Sequence, residues 1–436
     1  YHGRILEVDL TSRTWSVIPM AQEELRGLLG GKGLATKLLL DLNPPGADPL
    51  GPENRIIFAA GPAGNSLVWG GSRYGVFTKS PLTGGYLESY CGGKVPEAVD
   101  SAGYDAVVLS GASDTPLALV VHPGGCEFLE GDAVWGMETY AAEDAINAMA
   151  REAVPGQKRY GAAVIGPAGE NLVRFACIES DYWRSAGRGG AGAVLGAKRV
   201  KGVAFCGSAK RELADPKGLA AYCKLFMQEG KDSPGAKAYK ARGTTQMVAI
   251  MNTVGAFPAK YWAQGTCDHW ENLSGDRYHE EHEVKPKACA KCFMACGRFS
   301  RISSGRHAGL AIEGPEYETI YAFGGLCMIE DMAEVAHLND LCDRLGMDTI
   351  TAGNLCGLAI EGVLQGAVEY PIAYNDPEGC TRLIQDMAAQ EGLGEILAQG
   401  IVPASQDLGL EDLAVHVKGM EPAGYDPRVL KGMGLS

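Results

Sequence analysis

No stretch of the 436-residue sequence is apolar for long enough to cross a membrane. Positive charge is in short supply: 39 Lys and Arg stand against 53 Asp and Glu, a net charge of −14. That balance argues against nucleic acid as a partner. No secretory leader and no twin-arginine signal is read, although the chain opens on Tyr1 and a short start is expected to be missing. With 13 cysteines and no leader, the expectation is a reducing, cytoplasmic setting rather than a disulfide framework. Nor is there a periodic glycine pattern, which excludes collagen and simple linkers.

Glycine itself is abundant. The 60 glycines are roughly double the usual share. They recur as Gly30-Gly31, Gly70-Gly71, Gly84-Gly85, Gly92-Gly93 and Gly189-Gly190. Glycine permits positive φ and close approach of backbone to a ligand. So many Gly-Gly turns point to a chain that wraps a large cofactor; a β-rich domain with many tight turns is the plainer reading. The length leaves room for two or three domains.

Along the chain, Arg4–Leu10 and Thr14–Ile18 read as a β-hairpin. Residues 23–40 read as a helix loosened by Gly30, Gly31 and Gly33. Strands are expected at 56–60, 73–78, 105–110, 117–122, 127–129, 162–166 and 173–179. Helices are expected from Tyr90 to Ala102 and over 139–153. Beyond Pro216 the pattern turns helical, with strong candidates at 219–228, 245–252, 331–345, 381–390 and 393–399 and another starting near Thr349. The fold class read from this order is α+β: a β-rich, cofactor-cradling domain over 1–210, a mostly helical domain over 211–418, and over 419–436 the start of a third helical domain.

The most informative stretch is Cys289-Ala-Lys-Cys292-Phe-Met-Ala-Cys296. The C-x2-C-x3-C spacing lets a turn aim three thiolates at one point, as a [4Fe–4S] cluster needs. A fourth cysteine is lacking nearby; the next is Cys327. A second CxxC or an HxxxH pair, which zinc would favour, is lacking too. Three buried thiols in a helix is the plain alternative. Lys285, Lys287, Lys291, Arg298 and Arg301 surround the triplet, either to dock an acidic electron carrier or to offset an anionic cluster.

Gly187-Arg188-Gly189-Gly190-Ala191-Gly192 formally matches GxGxxG. It follows polar residues rather than a clear strand, and no ribose-binding acid stands some twenty residues on. Arg184 and Arg188 instead make it an anion cradle for phosphates other than those of a nicotinamide cofactor. Glu316 and Glu318 follow Pro315 in a first helical turn, where capping alone would suit them. Asp343-x-x-Gly346-x-Asp348 joins two helices, and a C-cap glycine followed by an N-cap aspartate is its plain reading.

Together these residues resemble the tungsten-dependent aldehyde:ferredoxin oxidoreductases. The likeness is closest at Thr78–Gly84, Ala102–Ala106, Ile165–Asn171, Ala186–Gly190, the cysteine triplet, Glu313–Glu318 and the Asp343 motif. The resemblance implies a tungsten bis-pterin cofactor, a [4Fe–4S] cluster and a Mg2+ ion. It places Arg73 and Gly92 against pterin on one side, and Arg184, with Arg188, on the other. Backbone carbonyls near Tyr90 and Ser185 would hold Mg2+. Asp343, Gly346 and Asp348 would bind one pterin; Cys289, Cys292 and Cys296 would hold the cluster; Glu318 would be the active-site carboxylate. The family's fourth cluster cysteine, second aspartate motif and active-site histidine are expected beyond Ser436, on the same gene or on a companion chain. Tyr90 stands where the family usually has asparagine. Glu334 and His337 keep one E-x-x-H pair of an interface iron site, and no second pair follows.

The implied reaction is oxidation of an aldehyde to a carboxylic acid, with electrons leaving through the cluster to ferredoxin or another iron–sulfur carrier subunit. Burial is expected to raise the pKa of Glu318. A homodimer or hetero-oligomer is compatible. Two alternatives stand beside it: the catalytic subunit of a multi-subunit tungsten reductase of the benzoyl-CoA reductase type, and a cofactor-binding remnant without turnover.

Overall fold

The computed structural model describes residues 1–435; Ser436, the end of the stretch read as a third domain, lies outside the described residues. The chain forms two compact units. The first is Tyr1–Gly230 with Cys289–Phe293 and Asp343–Met347; the second is Lys231–Ala288, Met294–Cys342 and Asp348–Ser436.

Twelve strands of the first unit make two six-stranded sheets. They are β1 (Arg4–Asp9), β2 (Thr14–Pro19), β3 (Ile56–Ala60), β4 (Tyr74–Lys79), β5 (Tyr86–Cys91), β6 (Ala106–Ser110), β7 (Leu117–His122), β8 (Gly125–Glu130), β9 (Arg159–Val164), β10 (Ile178–Ser180), β11 (Arg184–Ala186) and β12 (Val200–Gly207). The orders are β2-β1-β6-β3-β4-β5 and β11-β10-β9-β12-β7-β8. Only β1–β6 and β7–β12 pair in parallel.

Period-two patterning divides the side chains between three apolar layers. Leu6, Val8, Ile56, Phe58, Val107 and Leu109 of the first sheet share a core with Leu117, Leu119, Val121, Val203 and Phe205 of the second. The intervening residues Ile5, Ile57, Ala59, Ala106 and Val108 face Leu25, Leu34, Ala35 and Leu39, which lie on α1 (Gln22–Leu28) and α2 (Gly31–Leu42). Ala118, Val120, Ala162, Val164 and Ala204 face Ala142, Ile146 and Ala150 of helix Thr139–Ala153. All five residues of β3 are therefore buried.

The helix expected over 23–40 is two helices. Leu29 takes a left-handed conformation (φ 59°) before Gly30 (φ 64°), which breaks the run. Tyr90 and Cys91, expected to open a helix, end β5 instead, and helix begins only at α3 (Val95–Ser101). The helix Thr139–Ala153 is α4, and α5 (Pro167–Glu170), α6 (Ala191–Ala197) and α7 (Pro216–Gly230) are the unit's remaining helices. Of the strand expected over 173–179, only Ile178 and Glu179 are extended, in β10 (Ile178–Ser180).

The second unit is mostly helical. Its longest helix is Thr349–Leu364, and helix Pro377–Ala389 follows. The sequence reading missed its antiparallel three-stranded sheet, Glu283–Lys287, Gly297–Arg301 and Ala311–Glu313. No described helix is long and apolar enough to cross a membrane.

Candidate functional site

The cysteine motif lies in the connection between the strands Glu283–Lys287 and Gly297–Arg301, not in a helix. Lys291 (φ 59°) and Ala295 (φ 45°) are left-handed, each just before a cysteine. Cys289 and Cys292 belong to the first unit and Cys296 to the second.

Cys289 is 8% exposed and sits among donors. The Gly93 N–H and Arg73 Nη1 each donate to its Sγ at 3.3 Å. Burial pushes this thiol up, but the Arg184 charge, the Gly93 N–H and Arg73 outweigh it and hold its pKa below the usual thiol range. These partners favour the thiolate, which is the form that ligates iron. The backbone approaches closely here. A Cβ on Gly92 would stand 2.5 Å from Arg73 Nη1 and 3.0 Å from Cys289 Sγ. One on Gly93 (φ +89°) would stand 2.2 Å from Asp181 Oδ2. Asp181 in turn accepts the Lys94 and Val95 N–H groups at 2.5 and 3.2 Å, capping α3.

Arg73 precedes β4 and is exposed. With Tyr90, Gly75, Gly30, Gly31 and Gly61 it lines a cleft of about 760 Å³. Gly92, Arg184, Ser185 and Arg188 do not line that cleft. Tyr90 is 45% exposed on β5, its hydroxyl on Glu88 at 3.2 Å. Arg184 and Ser185 open β11, and Ser185 Oγ donates to Glu179 at 2.7 Å. The half-buried Arg188 has its N–H on Ser89 Oγ at 3.4 Å.

The 187–192 loop follows a strand after all, β11, and leads into α6. Its glycines admit neighbouring backbone: a Cβ on Gly190 would stand 2.1 Å from Arg174 O, and one on Gly192 2.2 Å from Cys177 O. Close packing thus accounts for these two glycines.

The Asp343 motif turns at Gly346 (φ +76°), whose N–H donates to Asp343 O at 3.2 Å and whose carbonyl accepts Cys177 N–H at 2.8 Å. Thr139 Oγ1 donates to Asp343 O at 2.7 Å. Asp348 caps the helix Thr349–Leu364, accepting Ile350 N–H and Thr351 Oγ1, both at 2.9 Å. Both capping roles foreseen for this turn are present.

Glu318 lies in the helix Tyr317–Thr319, which continues as a π-helical segment, Ile320–Leu326. It is partly buried, and its Oε2 accepts the Gly424 N–H at 2.9 Å. Tyr317 donates its hydroxyl to Gly424 O, so the 424–428 stretch packs within the second unit beside Glu318.

The basic residues around the triplet are largely engaged. Arg298 is 1% exposed and donates to the Lys240, Ala241 and Tyr239 carbonyls, closing the helix Pro234–Arg242. Lys287 pairs with Glu313 at 2.9 Å and Lys291 with Glu97 at 3.2 Å. Arg298 is thus engaged by carbonyls, and the two lysines by carboxylates.

Among the described residues no three His, Cys, Asp or Glu side chains converge on a single metal ion. Thiolates of an iron–sulfur cube converge on a cluster and each bind a different iron, which is a wider arrangement than a single-ion site. The acidified Cys289 and the exposed Arg73 at the cleft fit the cluster and an anionic pterin. Sequence reasoning missed Asp181 and Glu143. Asp181 stood beside Arg184 in a polar run. Glu143 gave no signal, being a carboxylate on an amphipathic helix.

Two family models match the sequence: the aldehyde ferredoxin oxidoreductase N-terminal domain over residues 5–207, and domains 2 and 3 of the same family over 221–436. The tungsten-containing aldehyde ferredoxin oxidoreductase of Pyrococcus furiosus is 34% identical over 99% of this chain and 71% of its own length. That of Thermococcus kodakarensis is 33% identical over the same shares. Among solved structures, the active site complex BamBC of benzoyl coenzyme A reductase, in complex with 1,5-dienoyl-CoA, superposes with a TM-score of 0.84 at 24% identity. The match covers 97% of this chain and 66% of that one. The chain therefore belongs to the aldehyde ferredoxin oxidoreductase family.

Proposed function

We propose that the chain is the catalytic polypeptide of a tungstopterin enzyme that oxidises an aldehyde to a carboxylic acid. The overall change is RCHO + H2O → RCOOH + 2 H+ + 2 e−, with ferredoxin or another iron–sulfur protein as acceptor. The tungsten bis-pterin, when bound, supplies the two-electron oxidation with oxygen transfer; the protein supplies orientation and tuning.

The observation that carries this reading is the buried Cys289 thiol, bonded by Arg73 and the Gly93 N–H and held below the usual thiol range by Arg184 and these donors. A thiol merely packed in a core is pushed the other way, as Cys91 is, to about 12. Cys289, Cys292 and Cys296 are the proposed cluster ligands. Arg73, Gly92, Arg184 and Arg188 are the proposed contacts to pterin and its phosphates. The Tyr90 and Ser185 carbonyls are the proposed Mg2+ ligands, and Asp343, Gly346 and Asp348 a pterin turn. Glu318 is the proposed proton carrier. The Gly424 N–H on its Oε2 orients the carboxylate. A Glu held in this way can take the proton that the hydrated carbonyl loses.

The test is metal content and turnover of protein purified without air. About one tungsten and four irons per chain, with aldehyde-dependent reduction of a viologen dye, is the expected result. Iron without tungsten or molybdenum would overturn it. The relatives at 33–34% identity favour the aldehyde reading over the reductase one.

A further inference from the structure

Glu143 has no role in the reaction outlined above, yet it grips the loop that leads to Arg184. It lies on α4 and is 6% exposed. Its two oxygens each accept one backbone N–H: Asp181 to Oε1 at 3.0 Å and Tyr182 to Oε2 at 2.8 Å. Those residues begin the three-residue loop between β10 and β11, and both are left-handed, at φ 51° and 63°. Neither is glycine, and although aspartate tolerates this region, Tyr182 takes it against its own preference. Two charge-assisted bonds from one carboxylate are the restraint that holds it.

What the loop holds is the site. Asp181 Oδ2 accepts Lys94 N–H at 2.5 Å and Val95 N–H at 3.2 Å, next to the Gly93 N–H that donates to Cys289. Arg184, whose charge acidifies Cys289, is the first residue after the loop. A line of short contacts therefore runs from Glu143 through Asp181 to the Gly92–Val95 turn, and through the loop to Arg184. We propose that Glu143 is a positioning residue that sets the β10–β11 loop, and through it the Arg184 guanidinium and the Gly92–Val95 turn, for cofactor binding. The link to the cofactor rests on the tungstopterin reading above; the grip on the loop does not.

The setting of Glu143 also makes the grip sensitive to pH. Burial raises its pKa to about 7; the Tyr182 N–H opposes this, Asp181 and Asp144 add to the rise, and the Asp181 N–H opposes it. Tyr182 of the loop is tied to Asp144 at 2.6 Å. The sheet beneath α4 presents Val120, Ala162, Val164 and Ala204, and Lys201 of β12 is committed to Glu170 and Met137 O. Above neutrality both oxygens are full acceptors. Below it the carboxyl carries a proton and holds two N–H groups less well.

Hydrogen–deuterium exchange on the purified full chain, followed by mass spectrometry and corrected for intrinsic rates, tests this. In the parent protein, protection of peptides spanning 180–186 and 93–98 is expected to fall as pH is lowered through about 7. Glu143→Gln is expected to lower it about tenfold at pH 8 and to abolish the pH dependence, with β7–β8 peptides unchanged. Tyr182→Phe, which removes only the tie to Asp144, is expected to behave as the parent. Unchanged protection in Glu143→Gln, equal loss across β7–β8, or an equal effect of Tyr182→Phe would each overturn the proposal. On the anaerobically loaded enzyme, Glu143→Gln is expected to retain several-fold less tungsten; full retention overturns the link to the cofactor while leaving the loop result standing. These readouts need no aldehyde turnover, so failure of the catalytic reading is separable from failure of this one.

Discussion

The turn at Gly92–Lys94 and the turn at Asp343–Asp348 came from the same kind of sequence signal, a short run of glycine and charge, and they differ once folded. In the second, polar groups do the work of ending one helix and starting another: Gly346 bends the chain, Asp343 O accepts two donors, and Asp348 caps its helix. In the first, two arginines and an N–H gather around a sulfur that no helix end requires. Where architecture already accounts for a residue, its presence says little about chemistry. Where cations surround a buried sulfur without a structural need, chemistry is the better account.

Substitutions at and around the two turns put this contrast to the test. The largest effect is expected from Glu318→Gln: aldehyde-dependent dye reduction should fall about 10²–10⁴-fold with tungsten and iron contents unchanged, measured side by side. Cys289→Ala should leave the protein folded but with most of its iron lost, measured by plasma mass spectrometry, whereas Asp348→Ala should keep its iron. Glu170→Gln removes the partner of Lys201 in a pair whose side chains are 6% and 0% exposed. An uncompensated buried charge should cost about 3–5 kcal/mol in chemical denaturation.

Glu143 should make stability depend on pH. Its folded pKa, about 7, is raised above the unfolded one, so its contribution is fully present below about pH 4 and lost as pH rises through 7. The loss is about 3 kcal/mol at most, and Glu143→Gln should flatten that slope. The local grip on the loop strengthens over the same range in which the fold as a whole is weakened. The smallest effect is expected at Asp348. Asp348→Ala should cost about 0.5–2 kcal/mol as a lost cap, and Asp348→Ser about none. If Asp348→Ser keeps its stability but sheds tungsten, the second turn binds pterin as proposed in addition to capping; full retention of tungsten would leave it a cap alone.

Legibility in the sequence followed burial. The strands Ile56–Ala60 and Leu117–His122 were plain because both faces are apolar, and α4 because its period is helical. β5 was missed because Glu88, Ser89 and Tyr90 break the apolar run on a strand whose first residue, Tyr86, is also exposed. The strand Glu283–Lys287 was missed because charge dominates an exposed edge. At the site, the family resemblance named Arg73, Arg184 and Cys289, but not their meeting. The residues that bring them together, Asp181 and Glu143, act through backbone N–H groups, and such contacts leave no trace in residue type.

The five residues of β3 have no solvent side. In a one-sided sheet, alternate positions can drift freely. Here a change of volume at Ile57 must be answered among Leu25, Leu34 or Phe77, and one at Phe58 among Val107 or Phe205. Divergence at the centre of this unit should therefore proceed by matched pairs. Unmatched change should collect at rims such as β2, whose six residues are all exposed.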